Sequence, residues 1–151
     1  MLKKGDRIPN LSLYGADGNL HELTTFTGQP MVIYFYPKNE TAGCVAEACA
    51  FRDQYEDFQA VGAQVIGISS DSVASHRRFK EKRRLPFILL SDPQRVAEKA
   101  FGVERSLFGL LAGRVTFVVD AKGEIIHVFN SLTQFDRHVK EAMAALRRLN
   151  K

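Results

Sequence analysis

The chain of 151 residues has two cysteines, four histidines and no apolar run long enough to cross a bilayer. Each shortage excludes a class of protein. A membrane-spanning helix needs about 20 apolar residues in succession, and the opening Met1-Leu-Lys-Lys-Gly-Asp6 carries charge with no apolar stretch behind it. A soluble, unexported, cytoplasmic protein with no membrane partner is therefore expected. Two cysteines at C-x4-C spacing are too few for a secreted disulfide framework, and they lack the further cysteines or clustered histidines that a zinc site needs. The histidines, at positions 21, 76, 127 and 138, are scattered without ligand spacing and are assigned no chemistry. No haem or flavin motif is present, so the chemistry is expected to need no cofactor. Repeats, linkers and low-complexity segments are absent too.

What remains is an ordinary globular composition, 45% hydrophobic and 25% charged, long enough for one substantial core. One domain over residues 1–151 is expected. The net charge of +4 owes much to Arg77, Arg78, Lys80, Lys82, Arg83 and Arg84. This run reads as the solvated face of a helix. Basic runs bind phosphate nonspecifically, but no aromatic interleaving or reading motif accompanies this one, so nucleic acid is not an expected partner.

Residues 11–13 and 20–23 flank the turn-rich Ala16-Asp-Gly-Asn19 and read as an N-terminal hairpin covering an edge. Residues 31–36 are too continuously apolar for a one-sided strand and should be central, buried on both faces. After them Cys44, Ala48, Phe51, Tyr55 and Phe58 recur as one helical stripe facing the sheet. A strand follows at 64–69, and a strand–helix–strand unit of this length implies parallel pairing by a right-handed crossover. Asp71 or Ser72 caps the basic helix, which runs to about Arg83. Residues 87–90 form a further strand, and Ser91-Asp-Pro93 starts a helix to about Phe101. Residues 107–113 are apolar and glycine-punctuated, a loop near the active site or a partner surface. An antiparallel hairpin is expected from 115–119 and 124–129 around Asp120-Ala-Lys-Gly123, then an amphipathic helix over 135–149. Together these describe an α/β protein of thioredoxin-like plan: a central mixed sheet flanked by helices, with an N-terminal hairpin.

The chain is organised around residues 34–53. An apolar strand ends, Pro37 breaks it with a rigid residue that donates no hydrogen bond, and a helix restarts near Gly43 carrying both cysteines. Backbone N–H groups in a helix's first turn have no intrahelical partner and, with the macrodipole, favour negative charge. A free thiol titrates near ~8.5, but helix N-termini and nearby cations bring such thiols to roughly 3.5–7.5. Cys44 is thus the candidate nucleophile, and Thr41 can place its hydroxyl beside the sulfur. Cys49 lies five residues on. In a helix the two Cα atoms stand roughly 8–9 Å apart, with side chains about 140° apart, whereas a disulfide needs about 7 Å or less. If the two ever join, the first turns of the helix must unwind.

These residues resemble a known family. Pro37-x-x-x-Thr41-x-x-Cys44 is similar to the peroxiredoxin active-site motif, and a second cysteine five positions later resembles the Q, or bacterioferritin comigratory protein, subgroup. Tyr34-Phe-Tyr-Pro-Lys38, Glu47-Ala-Cys49 and Phe51-Arg-Asp53 carry the same likeness, as does Arg114 in Gly113-Arg-Val-Thr-Phe117, where such proteins keep an active-site arginine. Ala42 and Val45 depart from it, standing where the subgroup often has Pro and Thr. The resemblance implies a thiol-dependent peroxidase acting on hydrogen peroxide and organic hydroperoxides. Cys44 attacks and becomes a sulfenic acid, Cys49 resolves it as an intramolecular disulfide, and thioredoxin or a similar dithiol reduces that. Pro37, Thr41 and Arg114 assist, and the subgroup implies a monomer. Arg105 and Arg52 compete with Arg114 on position alone. A disulfide reductase is disfavoured because C-x-x-C is absent. A peroxide-sensing redox relay, whose helix unwinding is read by a partner, is the alternative from another class.

Overall fold

The computed structural model describes residues 1–105 and 113–149. In chain order the elements are β1 (Ser12–Gly15), β2 (Leu20–Glu22), a 3-10 turn (Leu23–Phe26), β3 (Met31–Phe35), α1 (Ala42–Asp53), α2 (Tyr55–Ala60), β4 (Gln64–Ser69), α3 (Val73–Arg83), β5 (Ile88–Ser91), α4 (Val96–Phe101), β6 (Val115–Val119), β7 (Ile125–Asn130) and α5 (Phe135–Leu149). The strands form one mixed sheet in the order β2-β1-β5-β4-β3-β6-β7. β3, β4 and β5 run parallel, as the helical crossovers between them require, and the other neighbours are antiparallel. This is the thioredoxin-like arrangement expected of the pattern. Among the described residues no helix is long and apolar enough to cross a membrane. Most of the expected apolar loop, 107–112, lies outside the described residues.

β3 shows why an uninterrupted apolar strand belongs at the centre. Val32, Tyr34 and Tyr36 point to one face, into a core with Cys44, Ala48, Phe51, Phe58, Phe79, Val139 and Leu146. Met31, Ile33 and Phe35 point to the other, against Leu90, Ala97, Phe101 and Phe117. A single period-2 strand thus feeds two cores. On the first face Tyr34 stacks on Phe51 with centroids 4.5 Å apart, which fixes the height of α1 above the sheet. Burying an aromatic of this size contributes about 1.5–3 kcal/mol.

Three elements differ from the pattern reading. The N-terminal hairpin extends the sheet, since β1 pairs with β5 through Tyr14↔Ser91 and Gly15↔Leu90, leaving β2 at the edge. The stripe from Cys44 to Phe58 is carried by two helices, because the chain leaves helical geometry at Gln54 (φ −103°, ψ 9°). And α4 begins at Val96 instead of Pro93. There the Asp92 carboxylate reaches across the Pro93 turn to accept the backbone N–H of Ala97 (3.2 Å) and of Glu98 (3.0 Å), doing an N-cap's work from three residues upstream of Arg95.

The basic helix α3 is capped by Ser72, whose hydroxyl accepts the Ser75 N–H at 3.1 Å. Its cations are not only a solvated face. Arg77 donates to the Ala16 carbonyl, Lys80 to the Phe87 carbonyl, and Arg83 pairs with Glu40 at 2.8 Å. They tie the β1–β2 turn, β5 and the loop before α1 to one helix.

Candidate active site

The loop between β3 and α1 is held from below by a buried polar cluster. Tyr36 donates its hydroxyl to Asn39 Oδ1 (2.6 Å), and the Asn39 backbone N–H donates to Asp71 Oδ2 (2.9 Å). The Asn39 amide group donates to Ser75 Oγ (3.1 Å) and lies 3.0 Å from Nδ1 of the fully buried His76. Ser69 closes the set by donating to Asp71 Oδ2. Glu40 then takes a left-handed conformation (φ 64°), uncommon for a residue with a Cβ, and its carboxylate is held by Arg83 and, at 3.6 Å, Lys82. The strand end is thereby fixed to the start of α3 and the entry to α1 to its last turn.

Thr41 is the N-cap residue of α1, and Cys44 sits in the first turn, 1% exposed. The Thr41 hydroxyl does not bond the sulfur. It donates to the Lys38 carbonyl at 2.7 Å, which leaves its lone pairs free to accept. Over the sulfur lies Arg114, at the start of β6 and 4% exposed. Its Nη2–H donates to Cys44 Sγ at 3.4 Å, Nη1–H to Glu47 Oε1 at 2.8 Å and Nε–H to the Leu132 carbonyl at 3.0 Å. Phe135 covers the guanidinium, which stands 4.8 Å from the ring centroid. The same ring presses on α1 so closely that a Cβ at Gly43 would lie 2.7 Å from it. Glycine is therefore required there for clearance. Pro37, Lys38, Thr41, Gly43, Arg114 and Phe135 line one open depression, and Arg114 joins it to the buried sulfur.

The structure thus brings together Pro37, Thr41, Cys44 and Arg114. Cys49 is half-buried, further along the same unbroken helix, and both cysteines are free thiols. The competing arginines are engaged elsewhere: Arg52 with Asp53 and the Arg83 carbonyl, Arg105 with Glu98 at 3.0 Å. Arg105 does line the rim of the depression.

Two buried residues beneath Arg114 were given no role by the sequence, Glu47 and His138, both 0% exposed. Burial raises the Glu47 carboxyl to about 8, against the opposing pull of Arg114, and burial lowers His138 to about 4. Glu47 was findable, since it falls three residues after Cys44 and one before Ala48, on the stripe that faces the sheet. A carboxylate at a core position demands a partner. His138 gave no such signal: its neighbours Thr116 and Ser131 lie 22 and 7 residues away.

A cysteine at a helix N-terminus under a buried arginine, on a thioredoxin-like sheet, defines a thiol-based oxidoreductase. The AhpC/TSA family matches residues 4–128. Peroxiredoxin Q of Oryza sativa subsp. japonica, a chloroplastic protein, is 47% identical over 148 residues, covering 98% of this chain and 68% of its own length. The peroxidoxin BcpB of Mycobacterium tuberculosis superposes with a TM-score of 0.93 at 37% identity, covering 100% of both chains. The bacterioferritin comigratory protein of Xanthomonas campestris, whose structures address its alkyl peroxide reduction activity, superposes at 0.86 with 32% identity over 93% of this chain and 92% of its own. The chain belongs to the AhpC/TSA family, in its peroxiredoxin Q branch, and its activity is that of a thiol-dependent peroxidase.

Proposed function

We propose that Cys44 is the peroxidatic residue and Cys49 the resolving one, in a two-cysteine cycle reducing hydrogen peroxide and organic hydroperoxides. The observation that carries this reading is the Arg114 guanidinium, which lines an open depression and donates to Cys44 Sγ. The Cys44 thiolate attacks one peroxide oxygen, an S–O bond forms as the O–O bond breaks, and hydroxide or alkoxide leaves. Negative charge moves from sulfur to the leaving oxygen. Arg114 Nη2 and the unpaired amides of the first turn of α1 lie where that charge passes. Thr41, its own proton committed to Lys38, accepts the peroxide O–H and orients it. Pro37 shapes the near wall without adding a donor.

Cys49 then attacks the sulfenic sulfur, forming the disulfide and releasing water. Because both residues lie on one continuous helix, residues 42–49 have to unwind first, and the Phe135–Gly43 contact parts. An external dithiol such as thioredoxin reduces the disulfide, and the monomer is the working unit.

Intact masses after rapid quench of reduced protein with one equivalent of hydrogen peroxide test the assignment. The wild type should lose two hydrogens, Cys49→Ser should gain oxygen, and Cys44→Ser should stay unmodified. Equal, slow modification of all three would show ordinary thiols and end the reading.

A further inference from the structure

One oxygen of the site is left without a partner. Glu47 Oε1 is bonded to Arg114, whereas Oε2, wholly buried, accepts no hydrogen bond among the described residues. Oε2 faces His138 Nδ1 at 3.5 Å. That ring is fixed at both ends, its Nε2 standing 2.7 Å from the Ser131 carbonyl and its Nδ1 2.7 Å from Thr116 Oγ1. A carbonyl only accepts, so Nε2 carries the hydrogen. In a neutral ring Nδ1 is then a lone pair receiving the Thr116 hydroxyl.

A carboxylate oxygen aimed at that lone pair, away from water, would set two acceptors face to face. One proton between them removes the conflict. It belongs on Glu47, because burial disfavours both the carboxylate and the imidazolium. Glu47 is then a neutral acid beside a neutral ring.

The other titratable groups whose charge reaches Glu47 are Arg114 just before β6, Cys44 on its own helix, Tyr34 on β3 and Tyr36 just after it. Burial pushes both tyrosines further from ionisation, so they stay neutral. Arg114 keeps its proton throughout. Cys44 is the neighbour whose charge changes in the reaction, and it shares its guanidinium with Glu47.

We propose that Glu47 is a redox-linked proton store: protonated while Cys44 is a thiolate, ionised once the sulfur has been oxidised. The inference rests on Cys44 being the attacking thiolate. Cys44–S⁻, Glu47–COOH and H–O–O–H give Cys44–S–OH, Glu47–COO⁻ and water. The S–O bond forms and the O–O bond breaks; sulfur is oxidised and the peroxide oxygen reduced. The leaving hydroxide takes a proton from solvent and Glu47 releases one to it, so that no proton is taken up overall. Arg114 thus faces one anion before the step and one after it. No stage leaves the buried guanidinium unmatched or crowded by two negative charges, and Glu47 acts as a positioning residue through it.

The test uses Cys49→Ser, in which the reaction halts at the sulfenic acid. The protein is mixed with one equivalent of hydrogen peroxide at pH 7 in weak buffer with a pH indicator, while the ultraviolet thiolate band is followed. The expected result is loss of that band with no net proton uptake, accompanied in infrared difference spectra by loss of the carbonyl stretch of a protonated carboxyl. Cys49→Ser/Glu47→Gln should instead take up one proton per peroxide. Uptake of one proton by Cys49→Ser itself, or an unchanged carboxyl band, overturns the proton store however the glutamine variant folds. A thiolate that does not react with peroxide overturns the peroxidatic assignment and the store with it.

Discussion

Removing the Arg114 guanidinium should slow the attack of Cys44 on peroxide by about a hundredfold. Nη2 lies 3.4 Å from Cys44 Sγ, and at an effective dielectric of 20 a unit charge at that distance is worth about 5 kcal/mol to an anion. Much of this already favours the resting thiolate and does not speed the reaction. What accelerates it is the share gained as charge passes to the leaving oxygen, comparable to one oxyanion donor, about 3 kcal/mol. At 1.36 kcal/mol per factor of ten this is on the order of 10² in rate. The fold should survive, because Glu47 already holds a proton in the resting protein and is not left as a buried anion when its cation goes. The cost is then three hydrogen bonds, about 1.5–4.5 kcal/mol. The assay is stopped-flow oxidation in the Cys49→Ser background, at a pH where the thiolate band is fully developed, with Arg114→Ala and Arg114→Lys side by side. Lysine keeps the charge but cannot bond Leu132, Glu47 and Cys44 at once, so it should recover only part of the rate. A folded Arg114→Ala protein reacting within about threefold of its parent would refute the electrostatic role.

Glu47 also makes stability depend on pH. Its folded-state value, about 8, lies above the unfolded one, so the native state holds a proton that the unfolded chain has released, and stability falls as pH rises toward 8. His138, lowered to about 4, acts in the opposite sense between 4 and its ordinary value near 6.5, so the two offset each other in acid and Glu47 acts alone above it. Unfolding free energies from urea titrations between pH 6.5 and 8 should drop in the wild type relative to Glu47→Gln by on the order of 1–2 kcal/mol, and parallel curves would show that Glu47 is already ionised. Gly43→Ala places a Cβ 2.7 Å from the Phe135 ring and 3.1 Å from Arg114 Nη2. It should cost about 1–3 kcal/mol by denaturation and slow oxidation by displacing the guanidinium. Asn39→Ala removes the hub of the cluster under the loop. It should lower stability by about 1–3 kcal/mol through its lost side-chain bonds and raise amide exchange over 38–44, whereas unchanged exchange there would deny the cluster its anchoring role.

The order of elements was written in the sequence because each depends on near neighbours. The unbroken apolar run of β3 has no polar face to give to water, and the spacing of Cys44, Ala48 and Phe51 fixes which side of α1 meets the sheet. Pro37, Thr41 and the two cysteines are likewise local, so a short motif carried them. Tertiary structure decided what depends on residues far apart in the chain. Arg114 reaches Cys44 across 70 residues and Glu47 across 67, and position along the chain does not separate Arg114 from Arg52 or Arg105, whereas the fold sets Arg114 over the sulfur. The start of α4 moved because Asp92 chose acceptor contacts beyond its own turn. His76 and His138 looked idle because nothing in their local sequence tells a buried histidine from an exposed one. Periodicity reports which face is buried, whereas the partner of a buried polar group is set by whichever distant strand or helix packs against it, and that is where this site acquires its charge balance.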